Sequence, residues 1–227
     1  MSMLSTLDLI RRVPMFAKLS AVQAEFLSNV VVKRRFKKGE RIVEQNHKSD
    51  ALYIILAGRA RVLMTDAKGR EVILATLQTG DYIGEMSLID NEAHSASVEA
   101  EIQTDALELG RSDFMRSLNE SSSMAFAVMG GLVQRLRRAD DKIGSLALMS
   151  VYDRVADVLR KTAKASPNND MVIRDKVSRQ DVAKMVGASR EMVSRVMKDF
   201  EEQGFVELLV GGGIRVVEQN ARPNSFS

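Results

Sequence analysis

The sequence predicts an α+β protein with antiparallel β-structure in its first half, one long helix, and a small helical unit closed by a hairpin. Three observations carry this reading. Short strand-like runs alternate with glycine turns between residues 38 and 85, an apolar heptad runs from Met129 to Leu146, and two serine-capped helices meet at Gly187. The composition allows it: 227 residues, 45% hydrophobic and 28% charged, suit an ordered chain with one large core or two smaller ones. Disorder and collagen-like repeats are excluded.

Residues 5–30 read as short helices, broken at Pro14 and restarted by a cap near Ser20. Beyond them, Gly39, Gly58, Gly69, Gly80 and Gly84 punctuate the apolar runs 51–56, 60–65 and 71–77, which are rich in Val, Ile, Leu or Tyr. Runs of that length at regular spacing predict an antiparallel barrel or sandwich. Phe36, Gly39, Glu40, Tyr53, Ile55 and Gly58 read as its core and turn residues.

A helix should start at the serine cluster 121–123 and run to about Leu148. Within it Met129, Leu132, Leu136, Ala139, Ile143 and Leu146 are spaced by threes and fours, an a/d seam of nearly three heptads. One isolated helix cannot bury such a seam. Packing on the β-structure would cover it, but the charged opposite side, with Arg135, Arg137, Arg138, Asp140, Asp141 and Lys142, favours a parallel homodimer. The division expected is 1–120 for the β-domain, 121–149 for the dimerisation helix and hinge, and 150–227 for the last domain.

In that last domain Val151, Val155, Val158 and Leu159 share a helical face, and residues 166–170 form a loop. Ser178 caps a helix whose Val182, Ala183 and Val186 face inward, Gly187 supplies a left-handed turn, and Ser189 caps a second helix packed through Met192, Val193 and Val196. This is a helix-turn-helix. Residues 205–210, the glycines 211–213 and residues 214–217 then read as a hairpin wing. Arg190, Glu191, Ser194, Arg195 and Lys198 gather at the start and along one side of the second helix, where such a helix reaches base edges. Arginine grips guanine bidentately and a carboxylate accepts from cytosine, so a glutamate between two arginines reads sequence, whereas a merely solvated face would need neither caps nor turn.

Other function classes are squeezed out early. The chain has no cysteine, and its two histidines, His47 and His94, leave little for a metal site or a serine–histidine triad. No nucleophile, base or metal constellation points to an enzyme. The longest nearly apolar stretches, 51–58 and 124–133, fall short of the roughly 20 residues of a membrane span, and Asp8, Arg11 and Arg12 stand where a signal peptide would be apolar. A cytoplasmic protein without membrane contact is expected. The net charge is only +3, split as +2 from residue 150 onward and +1 before it, so any case for nucleic acid rests on where charges sit.

These residues together resemble the cyclic-AMP receptor protein/FNR superfamily of bacterial transcription regulators over nearly the whole chain. The resemblance implies an N-terminal cyclic-nucleotide-binding-like antiparallel β-roll, a long dimerisation helix and a C-terminal winged helix-turn-helix. It implies a homodimer that binds double-stranded DNA at a GTGA-type palindrome, with RNA polymerase as a further partner and activation as the expected mode. Arg190, Glu191 and Arg195 match the family's base readers, and Arg179, Ser189 and Lys198 match backbone-contacting positions, with Gln180 beside them.

The effector cassette matches less well. Gly84, Glu85, Met86, Ser87 and Leu88 stand where the family opens a short helix towards a phosphate, with the glutamate accepting from a ribose hydroxyl. Where cyclic-AMP binders have Arg-Ser, this chain has His94 and Ser95, and a neutral imidazole lacks the charge and fork of guanidinium. Ala139 and Asp140 occupy the positions of the Thr-Ser pair that contacts adenine, and they offer no hydroxyl. Both departures favour cyclic di-GMP over cyclic AMP as effector, with Arg59, Arg61 and Arg70 as candidate guanine or phosphate partners. A regulator that binds DNA constitutively or senses another ligand is the alternative. No covalent cofactor is expected, and His94 reads as a surface histidine holding a turn sooner than as a haem ligand.

Overall fold

In the computed structural model, residues 5–166, 170–174, 177–209 and 212–217 are described, and they form two compact units, Met1–Arg137 and Arg138–Ser227. The boundary falls inside one continuous helix.

The first unit opens with α1 (Thr6–Arg12), a single 3-10 turn (Pro14–Phe16) and α2 (Ala21–Val30). Both helices begin at capping boxes, Ser5 with Asp8 and Ser20 with Gln23, which satisfy the amides that a helix start leaves open. Eight strands follow in chain order: β1 (Val32–Phe36), β2 (Arg41–Val43), β3 (Ala51–Ala57), β4 (Arg59–Thr65), β5 (Glu71–Gln78), β6 (Tyr82–Ile83), β7 (Ser97–Ala100) and β8 (Thr104–Gly110), with the short helix α3 (Glu85–Asp90) between β6 and β7. They pair antiparallel in two sheets, β1-β8-β3-β6 and β2-β7-β4-β5. Every strand places a side chain between the sheets, among them Phe36, Ile42, Ile55, Leu77 and Val98. This is the antiparallel roll expected.

Helices α4 (Arg111–Glu120) and α5 (Ser122–Leu148) complete the first unit and lead into the second. Leu52 and Ile54 of β3 and Leu107 and Leu109 of β8 face a second apolar cluster with Ile10, Leu27, Phe114, Met124 and Val128. Strand β3 therefore buries both of its sides, which is why residues 51–56 are apolar without alternation. Gly131 of α5 faces this cluster; a Cβ there would fall inside the Tyr82 hydroxyl, which donates to the Val128 carbonyl at 3.1 Å. Asn46 is left-handed at φ 65°.

The second unit holds the end of α5, then α6 (Val151–Thr162), β9 (Lys164–Ala165), β10 (Met171–Ile173), α7 (Arg179–Val186), α8 (Arg190–Glu202), β11 (Val206–Leu208) and β12 (Ile214–Val216). Its strands form one antiparallel sheet, β11-β12-β10-β9. Val155, Leu159, Val182, Val193, Phe200, Phe205 and Ile214 share its core. The wing hairpin is present as β11 and β12, paired from Val206↔Val216 to Leu208↔Ile214, while Val210 and Gly211 of the expected hairpin lie outside the described residues. Strands β9 and β10 were not expected: they flank the predicted 166–170 loop, of which 167–169 lie outside the described residues.

Candidate nucleic-acid interface and effector cassette

The two-helix motif is built by local chemistry. The Ser178 hydroxyl accepts from the Asp181 amide at 3.0 Å, Gly187 ends α7 at φ 66°, and the Ser189 hydroxyl accepts from the Met192 amide at 3.2 Å. Val193, Val196, Met197 and Phe200 bury one side of α8. Met192 does not join them: it is 42% exposed, because the buried stripe runs through 193, 196, 197 and 200 and leaves 192 at its edge. Arg190, Glu191, Ser194, Arg195 and Lys198 are all exposed on the remaining side.

No ion pair engages Arg190, Glu191 or Arg195 among the described residues, so their hydrogen-bonding groups are available to a partner. Arg179 donates through Nη2 to Glu201 at 2.9 Å, a partly exposed pair that ties the start of α7 to the end of α8. Lys198 pairs with Glu202 at 3.5 Å, an exposed contact that solvent weakens. Gln180 is exposed, and Ser189 serves as the cap.

On the first unit, Gly84 opens α3 at φ 99°, and a Cβ there would lie 2.7 Å from the Ala51 carbonyl oxygen, so glycine is required. Met86 is 49% exposed. Ser87 is buried and donates to the Glu92 carbonyl at 2.6 Å, closing the turn behind α3. Leu88 is fully buried in the core, so only its backbone can face a ligand.

Glu85 is the unusual member. Its side chain is buried, and Oε1 accepts from Arg135 Nη1 at 2.7 Å. Arg135 also donates to the Tyr82 carbonyl and lies over the Tyr82 ring at 4.9 Å. Oε2 is buried and accepts no hydrogen bond from any described residue. Burial pushes the Glu85 carboxyl up and the Arg135 guanidinium pulls it back. An orphan carboxylate oxygen beside a glycine turn fits a hydroxyl donor from a sugar.

Arg135 belongs to the charged side that the heptad reading left to solvent; here it is half-buried. A signal for it existed, since 124, 128, 132 and 135 follow one helical stripe that starts in the core. The seam residues themselves stand out: Met129, Leu136, Ile143 and Leu146 are between 46% and 63% exposed, Ala139 is exposed, and Leu132 packs partly against the roll cluster.

His94 corrects an expectation, because it is buried at 8% exposure and is not a surface residue. The β2–β3 loop folds over it: the His94 amide donates to the His47 carbonyl and the Asn46 amide donates to the His94 carbonyl, both at 2.9 Å. Its Nε2 lies 2.8 Å from the Ser49 hydroxyl, and burial lowers its pKa. Burial thus favours the uncharged ring. Ser95 is exposed, and Ala139 and Asp140 are exposed on α5 in the second unit. The candidate arginines of the roll are engaged: Arg59 and Arg61 both bind Glu101, at 2.6 and 2.5 Å, and Arg70 binds Asp66 at 2.6 Å. Arg59 and Arg61 are partly buried in their pairs, whereas the pair of Arg70, 78% exposed, is a surface contact that solvent weakens. Among the described residues no cluster of His, Asp and Glu could hold a metal, and no helix is long and apolar enough to cross a membrane.

Known proteins agree with this arrangement. The cyclic nucleotide-binding domain family matches residues 33–121 and the Crp-like helix-turn-helix domain family matches residues 153–221. The cAMP-activated global transcriptional regulator Vfr of Pseudomonas aeruginosa is 31% identical over 185 residues, covering 78% of this chain and 85% of Vfr. The cyclic AMP receptor protein of Thermus thermophilus is 32% identical over 195 residues, covering 86% and 88%. Among solved structures, the c-di-GMP responsive global regulator CLP of Xanthomonas campestris superposes with a TM-score of 0.76 at 25% identity, covering 87% of this chain and 99% of CLP.

Proposed function

Given that the chain belongs to the cyclic-AMP receptor protein/FNR superfamily of bacterial transcription regulators, we propose that it is a homodimer that reads a GTGA-type palindrome under the control of a cyclic nucleotide. The carrying observation is the exposed trio Arg190, Glu191 and Arg195 at the start of a doubly capped helix, with no internal partner among the described residues. In this reading the trio contacts base edges, while Arg179, Gln180, Ser189 and Lys198 serve the backbone. Residues 1–120 bind the effector, 121–149 dimerise through the α5 seam, and 150–227 bind DNA. The protein works in the cytoplasm as an activator that meets RNA polymerase at the promoter, and it is not an enzyme.

Gly84, Glu85, Met86, Ser87, Leu88, His94 and Ser95 form the proposed effector site of the first unit; Ala139 and Asp140 of α5 belong to the second unit, and their part in effector binding rests on the resemblance alone. Glu85 Oε2 supports it as an acceptor awaiting a donor. Since Glu85 also holds Arg135 on α5, a ligand hydroxyl at Oε2 would bear on the helix that carries the seam. The effector can shift the DNA-binding population only by its difference in affinity between the two states. We favour cyclic di-GMP over cyclic AMP. With Arg59 and Arg61 engaged, that preference rests on the buried His94 and on the missing hydroxyls at Ala139 and Asp140. Constitutive DNA binding or a different ligand is the second reading, and the same two departures support it.

Fluorescence anisotropy of a GTGA-type palindrome and a scrambled duplex at fixed salt, without effector and with each nucleotide, tests the proposal. Specific binding that responds to one nucleotide upholds it and names the effector. Specific binding indifferent to both supports the second reading. Equal affinity for both duplexes would remove the base-reading role of Arg190, Glu191 and Arg195.

A further inference from the structure

A cavity of about 240 Å³ lies wholly within the second unit, between the end of α5, α6 and the end of α7. Four cations line it, Arg138, Lys142, Arg154 and Lys161, against two carboxylates, Asp141 and Asp157. Asp157 is taken by Lys161 at 2.7 Å. Lys142 is half-buried and donates to the Met185 carbonyl in the last turn of α7. Arg154 uses Nη1 on the Leu146 and Met149 carbonyls, at 3.2 and 3.4 Å, while its Nε is buried and donates to no described residue.

This arrangement is electrostatically frustrated. Burial and the nearby charges of Arg154 and Lys161 hold the Lys142 ammonium below the usual lysine range, with Asp157 opposing them only in part. A buried donor without an acceptor costs stability unless something supplies one. An anion in the cavity would accept from Arg154 Nε and relieve the repulsion around Lys142.

We propose that this cavity binds a small phosphate anion, a phosphate or diphosphate group held by Lys142, Arg154 and Lys161. Size favours the small ligand: drug-sized molecules use cavities of roughly 300–1,000 Å³, so about 240 Å³ takes a phosphate head and leaves a nucleoside outside. Recess argues against a duplex backbone, because Lys142 is half-buried and Arg154 Nε fully so. The site lies apart from the cassette around Glu85, which belongs to the other unit. Because Lys142 also holds the α7 carbonyl, the anion would compete for the bond that joins α5 to the first helix of the motif.

Isothermal titration calorimetry of the full-length protein with inorganic pyrophosphate, at constant ionic strength and with sulfate as control, tests this. One saturable site per chain is expected, preferring pyrophosphate to sulfate. Arg154→Gln and Lys142→Gln should each weaken it at least tenfold, and Lys161→Gln, on an exposed side chain that leaves the fold intact, about threefold. Lys33→Gln, on β1, should bind as the parent does. ADP binding at the same site with equal or greater affinity would identify a terminal diphosphate as the natural form, and weaker ADP binding the free anion; both uphold the site. Absence of a saturable site, equal binding by Lys161→Gln and the parent, or equal weakening by Lys33→Gln and Lys161→Gln would overturn it. So would loss of scrambled-duplex affinity in Lys161→Gln with pyrophosphate binding unchanged, which would assign the cations to DNA.

Discussion

His94 shows how one substitution sets a charge. Its ring is buried against Ser49 and its pKa is lowered, so the unfolded chain binds a proton at a higher pH than the folded one. Between the two values the unfolded state holds more protons, and stability falls as the pH drops through about 6.5 and below. His94→Gln removes that loss. Thermal unfolding at pH 8 and pH 5.5 should show a smaller acid shift for the variant, and equal shifts would mean another group titrates. On α8, Arg190→Ala and Arg195→Ala should each cost about 1–3 kcal/mol and relax choice at one operator position. Anisotropy on single-base operator variants reads this; a uniform loss over all duplexes would reassign the side chain to phosphate. The base-reading candidates were legible because exposure on a capped helix follows from local spacing. The burial of His94 was not, since no periodicity within its connecting loop records what folds over it.

Elements divide along the same line. The two helices of the motif could be read from Ser178, Gly187 and Ser189 alone, because caps and a left-handed turn act over three or four residues. Strands β9 and β10 escaped, being two and three residues long and defined by pairing with each other and with β12. The pairing of Arg135 with Glu85 escaped for a related reason: it joins α5 to α3 across the fold. Two substitutions test elements directly. Gly84→Ala, at φ 99° and against the Ala51 carbonyl, should cost about 1–3 kcal/mol in urea unfolding. An unchanged midpoint would show that the turn relaxes. Leu136→Lys, at 63% exposure on α5, should convert a dimer to a monomer by light scattering, and a dimeric variant would dismiss the seam.

Across the whole molecule, three apolar clusters serve two units, two in the first and one in the second, and none is inferred from total charge. Phe200 is fully buried in the core of the second unit between Tyr152 and Phe205, at ring separations of 4.4 and 4.7 Å. Phe200→Ala should cost that unit about 3–5 kcal/mol. In differential scanning calorimetry, a second-unit transition should move down while that of the roll stays; a single transition that moves whole would show the units unfold as one. A net charge of +3 hides what placement reveals, so duplex binding should still fall steeply with salt. The glycine at 131 has a last consequence, for descent. Because Tyr82 reaches the Val128 carbonyl only through the gap that Gly131 leaves, a lineage cannot gain a side chain at 131 while it keeps this tyrosine in place. The two positions are bound to drift together, and relatives that carry a larger residue at the helix position should carry a shorter one on the strand.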